Sequence, residues 1–192
     1  MMKRIGLAAM AAIALGAAPA AAFDWTGFYA GVGLGGLNGG YSDDMGGSID
    51  YDGMTLDGFA GVRAEVLMFT LGAEVDGSYF LPSDDTDTTM IGKASARGTL
   101  GMEIGPLLPY LTAGVAMASQ KYDAGGGRDD TVTHPGIVIG AGVDIGVTDH
   151  LFARLEANYS VFAEEDYDVG FGAYMAGLKD QTDVRAGIGW KF

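Results

Sequence analysis

The last ten residues decide the fold: Asp183-Val184-Arg185-Ala186-Gly187-Ile188-Gly189-Trp190-Lys191-Phe192. Every second residue is apolar, from Val184 to Phe192, and the residues between them are charged or glycine. Successive side chains of a β-strand point to opposite faces, so this strand has one apolar face and one polar face. The pattern favours the wall of a membrane β-barrel, although the last strand of a soluble sandwich would alternate in the same way.

Seven earlier segments alternate in the same manner. They cover residues 28–37, 55–66, 69–81, 89–103, 109–121, 135–147 and 151–162. Most are about 10–13 residues long, which is typical of tilted membrane strands and exceeds the roughly 5–6 residues of a soluble strand. The total of eight is even. We therefore predict an all-β fold, an eight-stranded antiparallel up-and-down transmembrane β-barrel.

The connections alternate between short and long. The short ones lie near residues 67–68, 104–107 and 148–150, and the long ones near residues 38–54, 82–88, 122–134 and 163–180. Outer-membrane barrels have short periplasmic turns and longer exterior loops. On strand 135–147 this arrangement predicts that Ile139 faces lipid. Gly140 would face the lumen and should accept a small polar residue.

The N-terminus predicts a cleavable signal peptide over residues 1–22. Lys3 and Arg4 precede an apolar run over residues 5–18, and Ala20 and Ala22 form an A-x-A cleavage site before Phe23. The run is short and rich in alanine, whereas a spanning helix needs about 20 apolar residues. The barrel domain would then occupy residues 23–192. The chain has no cysteine, which excludes disulfides and thiol chemistry.

The formal charge of −14 is concentrated in the long connections. The acidic residues there are Asp43, Asp44, Asp50, Asp52, Asp84, Asp85, Asp87, Asp123, Asp129, Asp130, Glu164, Glu165, Asp166, Asp168 and Asp180. Nucleic-acid binding needs a basic patch, so this distribution excludes it. The favoured role of the acids is to hydrate exposed loops. Binding of divalent cations, shared with lipopolysaccharide phosphates, is the alternative, although the spacing matches no calcium-loop motif.

The polar faces of the strands predict a lumen filled with paired charges. The expected inward cations and anions are Arg63, Lys93, Arg97, Arg154, Arg185, Glu65, Glu74, Asp76, Asp144 and Glu156. Counting from the short turns predicts four pairs: Arg63 with Glu74, Glu74 with Arg97, Asp144 with Arg154, and Glu156 with Arg185. Buried charges require partners, and an eight-stranded interior is just wide enough for side chains. A narrow ion path with a charged constriction remains the alternative.

We find no signature of an enzyme, a cofactor site or a metal site. Of the two histidines, His134 precedes Pro135 at a predicted loop end and His150 lies in a predicted short turn, so both are interpreted as turn residues. Ser160 lies far along its strand from His150. No Ser-His-acid set converges, which leaves a lipid-modifying enzyme as a remote alternative.

Three stretches resemble the small "porin family" of outer-membrane β-barrel proteins, whose barrels are OmpA-like. They are Phe23-Asp24-Trp25-Thr26-Gly27-Phe28-Tyr29-Ala30-Gly31, residues 96–101 with 108–116, and Gly187-Ile188-Gly189-Trp190-Lys191-Phe192. The resemblance implies a location in the cell outer membrane. It also implies that Ile188, Trp190 and Phe192 form the C-terminal signal that barrel-assembly machinery recognises. The family is united by architecture and not by a catalytic motif.

The expected function is therefore that of a structural outer-membrane barrel. We expect a monomer with a largely plugged lumen and acidic exterior loops, in contact with outer-membrane lipids and lipopolysaccharide. A small low-conductance porin for ions or small solutes is the main alternative.

Overall fold

The computed structural model describes residues 23–43, 48–81, 89–123, 129–162, 165–168 and 173–192. The predicted signal peptide lies outside these residues. The described strands are β1 (Gly27–Asp43), β2 (Ser48–Val66), β3 (Phe69–Phe80), β4 (Thr89–Met102), β5 (Leu107–Asp123), β6 (Asp129–Gly146), β7 (Leu151–Phe162), β8 (Glu165–Asp168) and β9 (Ala173–Lys191). No helix in the described part of the chain is long and apolar enough to cross a membrane.

The strands form one closed antiparallel sheet. Strands β1 to β7 pair in chain order, β7 pairs with β9, and β9 pairs with β1. The four-residue β8 pairs with the first residues of β9 and extends that hairpin. The seam between β1 and β9 runs from Tyr29↔Lys191 to Asp43↔Ala176, and the Phe192 amide donates to the Phe28 carbonyl over 2.9 Å. The predicted eight-stranded barrel is confirmed.

Several strands are longer than the sequence predicted. Strands β1 and β2 remain paired as far as Ser42↔Ser48, and β5 and β6 as far as Asp123↔Asp129. Much of the predicted connections 38–54 and 122–134 is therefore strand. Apolar alternation is required only where one face meets lipid, whereas backbone pairing continues beyond that zone. The acidic side chains of the predicted long connections lie outside the described residues, except for that of Asp180, which is exposed.

The two faces of the wall differ as expected for a membrane barrel. Phe28, Leu111 and Ile139 are exposed on the outer face, and Ile139 has 55% of its surface accessible. Their chain neighbours Tyr29, Tyr110 and Val138 are buried inside. The predicted lipid-facing position of Ile139 is confirmed. A water-exposed apolar surface of this extent would aggregate, so lipid must cover it.

Inward glycines make room for large lumen side chains. A Cβ on Gly142 would lie 2.6 Å from Cζ of Tyr110, and one on Gly146 would lie 2.6 Å from Cδ2 of Phe23. The expectation that Gly140 accepts a small polar residue is wrong on the same ground. A Cβ there would lie 2.9 Å from the carbonyl oxygen of Ala157. Backbone and side chains already occupy the space that the added atoms need.

Candidate functional site in the barrel lumen

An aromatic cluster occupies the short-turn end of the lumen. It consists of Phe23, Trp25, Tyr29, Phe59, Leu108 and Phe152, all of them buried. Phe23 and Trp25 precede β1 and fold into the barrel, with their ring centroids 4.2 Å apart. The Trp25 ring also meets that of Phe152 edge-on at 5.8 Å. Offset and edge-to-face contacts of this kind add stability beyond burial of area. The cluster therefore packs the lumen at this end.

An ionic layer follows, in which arginines and carboxylates alternate. Within the described residues it contains four of each, connected in the order Arg63, Asp144, Arg154, Glu74, Arg97, Glu156, Arg185 and Asp76. All eight side chains are at most 4% exposed. Burial of this degree is tolerable only because each charge has at least one opposite partner.

The contacts in the layer are short, and several of them reach across the barrel. Arg63 donates to Asp144 over 2.7 Å, from β2 to β6, and Arg154 donates to Glu74 over 2.7 Å, from β7 to β3. Arg97 lies 2.6 Å from Glu156 and 3.1 Å from Asp76. The three contacts of 2.6–2.7 Å are typical of charge-assisted hydrogen bonds. The layer therefore bridges opposite walls of the lumen.

Every barrel strand contributes a side chain to this layer. Strands β1 and β5 contribute a tyrosine each, and the other barrel strands contribute charged side chains. The Tyr29 hydroxyl on β1 donates to Glu74 over 2.7 Å, and the Tyr110 hydroxyl on β5 donates to Glu156 over 2.5 Å. The arginines also stack on the aromatic cluster, since the Arg63 guanidinium lies 4.4 Å from the Tyr29 ring centroid. Arg154 lies 4.0 Å from that of Phe59. Cation–π contacts thus join the two layers.

Three of the four predicted ion pairs are formed between residues that face each other in register. They are Glu74 with Arg97, Asp144 with Arg154, and Glu156 with Arg185. The predicted pairing of Arg63 opposite Glu74 is wrong, because Gly72 faces Arg63 in the β2–β3 register. Arg63 pairs with Asp144 across the lumen instead.

Not every predicted inward charge is buried. Glu65, near the β2–β3 turn, is exposed and lies outside the buried ionic layer. Asp76 and Lys93 are buried, as expected, and Lys93 donates to Asp183. The two tyrosines were not predicted from the sequence, because only charged side chains were counted. Their position on the polar face of strands β1 and β5 could have indicated that they face the lumen.

Side chains also contact one another in the exterior half of the described lumen. Asn158 donates to Asp183 over 2.9 Å and accepts from Arg97 over 3.0 Å. Beyond it lies a second apolar cluster of Ala116, Ala118, Val138 and Phe162. Side chains therefore pack the lumen on both sides of the ionic layer.

The histidines occupy different settings. His134 is not a turn residue as predicted: it lies within β6 and is buried in the lumen. His150 lies in the β6–β7 turn, where its ring stacks on Trp190 at 5.3 Å. Its Nδ1 lies 3.1 Å from the Lys191 carbonyl oxygen. Among the described residues, no three His, Cys, Asp or Glu side chains are arranged to hold a metal ion.

The two chain segments that flank the barrel seam meet at the short-turn end. The Lys191 ammonium donates to the Asp24 carboxylate over 2.8 Å and to the Asp24 carbonyl over 2.6 Å. This hydrogen bond lowers the pKa of Asp24, which precedes the first membrane strand. Ile188, Trp190 and Phe192 are exposed on the outer face of the barrel.

The closed sheet, apolar outer wall and packed ionic lumen define a small transmembrane β-barrel of the outer-membrane type. The chain matches the family described as "Outer membrane protein beta-barrel domain" over residues 6–192, and it belongs to that family.

Relatives and solved structures agree with this membership. The chain is 31% identical to the "25 kDa outer-membrane immunogenic protein" of Brucella abortus, over 88% of this chain and 80% of the relative. It is 33% identical to the "22 kDa outer membrane protein" of Rhizobium leguminosarum, over 88% and 78%. The fold resembles that of Neisserial surface protein A with a TM-score of 0.57 at 18% identity, over 87% of this chain and 98% of that chain. The protein is an outer-membrane β-barrel protein located in the cell outer membrane.

Proposed function

We propose that the protein is a structural outer-membrane barrel whose lumen is closed to ions. The observation that carries this proposal is the ionic layer, to which all eight barrel strands contribute a charged or tyrosine side chain. An ion that crossed the layer would have to break several buried, charge-assisted contacts. The apolar clusters on either side add further obstruction. A narrow porin is therefore the less favoured reading of this lumen.

We also propose that the protein catalyses no reaction. Ser160 faces the lumen at full burial, and His150 lies in the turn that precedes β7, while Ser160 is near the other end of that strand. A nucleophile and its base must come within hydrogen-bond reach of each other and of a substrate. A lipid-hydrolysis assay on refolded protein should show no activity above that of a heat-denatured sample.

The proposed partners follow from the surface. Outer-membrane lipids and lipopolysaccharide would cover the apolar wall of a monomer, and the acidic hairpin ends would keep the exterior side hydrated. We further propose that signal cleavage precedes Phe23, since this residue is buried in the lumen. Recognition by barrel-assembly machinery would use the outward side chains of Ile188, Trp190 and Phe192 on the seam strand.

Planar-bilayer recording of refolded protein tests the closed lumen. We expect no stable conductance steps from the wild type, and none from Glu65→Gln, which changes an exposed glutamate near the β2–β3 turn. Glu156→Ala should introduce current noise or brief openings, because it removes the nearest carboxylate that Arg97 and Arg185 share, at 2.6 Å from each. Stable wild-type steps whose ion selectivity changes in Glu156→Gln would contradict the proposal and establish a porin.

A further inference from the structure

The three short turns at one end of the barrel differ in polarity. The first joins β2 to β3 through Leu67 and Met68, and the second joins β4 to β5 over residues 103–106. The third joins β6 to β7 over residues 147–150. Turns on the periplasmic side of such barrels normally meet water, so their composition should be polar.

The β2–β3 turn is instead apolar and fully exposed. Leu67 is 90% exposed and Met68 is 67% exposed. Leu67 has a φ of 62°, in the left-handed region that bulky residues rarely adopt. Two-residue hairpin turns usually place glycine, asparagine or aspartate at positive φ. The backbone conformation of this turn therefore does not explain why a leucine occupies position 67.

The neighbouring turn extends the same apolar surface. Strand β3 pairs with β4, so the β2–β3 and β4–β5 turns lie side by side on the rim. Ile104 is 52% exposed there, and Leu107 is also exposed. The one charge of this turn, Glu103, is half-buried and accepts a hydrogen bond from the lumen residue Thr70 over 2.9 Å. We call the four side chains of Leu67, Met68, Ile104 and Leu107 the apolar arc.

The opposite side of the rim is mainly polar. The β6–β7 turn contains Thr148, Asp149 and His150, which are exposed together with Val147. The Asp24–Lys191 ion pair lies beside it at the barrel seam. The described rim is therefore divided into a mainly apolar half, near β2 to β5, and a mainly polar half, near β6 to β1. The charges of the apolar half are the exposed Glu65 and the half-buried Glu103. The polar half also exposes Val147 and Phe192.

The apolar arc is continuous with the lipid-facing wall. Val66, Phe69 and Leu71 are exposed on the outer face of the β2–β3 hairpin and lead into the turn, with no polar residue between them on that face. The medium that covers these wall residues is the hydrocarbon of the membrane. The simplest cover for the adjoining turn is the same leaflet, because exposed apolar area of this kind is costly in water.

We propose that the apolar arc is a lipid-binding surface that enters the acyl-chain boundary of the periplasmic leaflet. The polar half of the rim remains in water at the level of the headgroups or beyond. The barrel consequently sits tilted, with the β2–β5 side deeper in the periplasmic leaflet than the β6–β1 side. The partner is lipid alone, and no second protein is required.

Site-specific fluorescence tests the proposal directly. The chain has no cysteine, so Leu67→Cys, Ile104→Cys and Asp149→Cys each allow one NBD label. Each variant is refolded into phosphatidylcholine vesicles that contain no other protein. We expect blue-shifted emission at positions 67 and 104 and quenching there by lipids brominated on their acyl chains. The matched label at position 149 should emit as in water and be quenched by aqueous iodide.

Heat-modifiable migration on gels verifies that each labelled barrel is folded. If Leu67→Cys does not refold, Met68→Cys takes its place. Emission at positions 67 or 68 and 104 that matches emission at 149 would overturn the proposal. A blue shift that appears only in native outer-membrane fragments, and not in pure lipid, would also overturn it and identify a protein partner. Equal quenching of all sites by brominated lipid would overturn the tilt.

Discussion

At the scale of single residues, Glu74 shows how the lumen tolerates charge. It accepts from Arg97 over 2.5 Å, from Arg154 over 2.7 Å and from the Tyr29 hydroxyl over 2.7 Å. Two cations from different strands thus share one carboxylate. Removal of one member of a buried ionic group leaves uncompensated charge in a place that water hardly reaches.

Glu74→Ala should lower the free energy of unfolding in detergent by about 3–5 kcal/mol. The double variant Glu74→Ala with Arg97→Ala should lose less than the sum of the two single variants, because the substitutions share an interaction. Urea unfolding of the four proteins of the cycle measures the coupling. Glu65→Ala is the control, since the exposed Glu65 should contribute at most about 0.5 kcal/mol. Strictly additive losses would show that positions 74 and 97 do not interact.

The inward glycines give a second prediction at this scale. Gly142→Ala should destabilise the barrel by about 1–3 kcal/mol, because its Cβ would meet the Tyr110 ring at 2.6 Å and the Leu155 carbonyl oxygen at 3.0 Å. Gly58 faces outward, and a Cβ added to it would have nothing within 4 Å, so Gly58→Ala should be neutral or slightly stabilising. Urea midpoints in one detergent compare the two. Equal effects would mean that the lumen is loosely packed around Tyr110.

At the scale of elements, alternation located the strands but not their ends. The pattern ends where the need for an apolar face ends, whereas β1 continues to Asp43 and β6 begins at Asp129. The alternation pattern also could not predict where the segment before β1 lies. Phe23 and Trp25 enter the lumen because a closed barrel offers an apolar pocket there, and the period of a strand says nothing about that pocket.

The contact between that segment and the last strand should depend on pH. Lys191 lowers the pKa of Asp24 in the folded protein. A carboxyl group with a lowered folded pKa adds stability above its unfolded pKa of about 3.9, and this contribution is lost as the pH falls through the folded value. Wild type should therefore be slightly more stable than Asp24→Asn near neutral pH. The difference should disappear once the pH lies below the lowered folded pKa of Asp24.

Unfolding midpoints of both proteins across the pH range measure this difference. Asp149→Asn is the matched control, because Asp149 is an exposed carboxylate in the β6–β7 turn. A stability difference for Asp24→Asn that stays constant on acidification would show that the Lys191 contact does not stabilise the segment.

At the scale of the whole molecule, the outer wall determines how the protein folds. Its exposed apolar residues include Phe28, Val75, Leu111, Ile139 and Ile188. We expect aggregation in detergent-free buffer, and a β-rich circular dichroism spectrum with heat-modifiable migration once detergent or lipid is added. A monodisperse folded monomer in plain buffer would contradict a membrane wall.

The two faces of the barrel wall can be predicted from the amino-acid sequence alone. Period-two alternation is a local property, so each segment shows its lipid face and its lumen face without knowledge of the others. Neighbour pairs such as Asp144 with Arg154 were also predictable, because a short turn sets the register between adjacent strands. Membership in the outer-membrane barrel family rests instead on the family match over residues 6–192.

Which charges meet across the lumen depends on the closed sheet and is visible only in the folded protein. Arg63 and Asp144 are separated by 81 positions, on strands β2 and β6, and they come within 2.7 Å because closure of the sheet brings opposite walls together. Arg154 reaches Glu74 for the same reason. Curvature and closure are properties of the whole sheet and not of any one segment. For this reason, counting residues between neighbouring strands assigned Arg63 to Glu74, which it does not face.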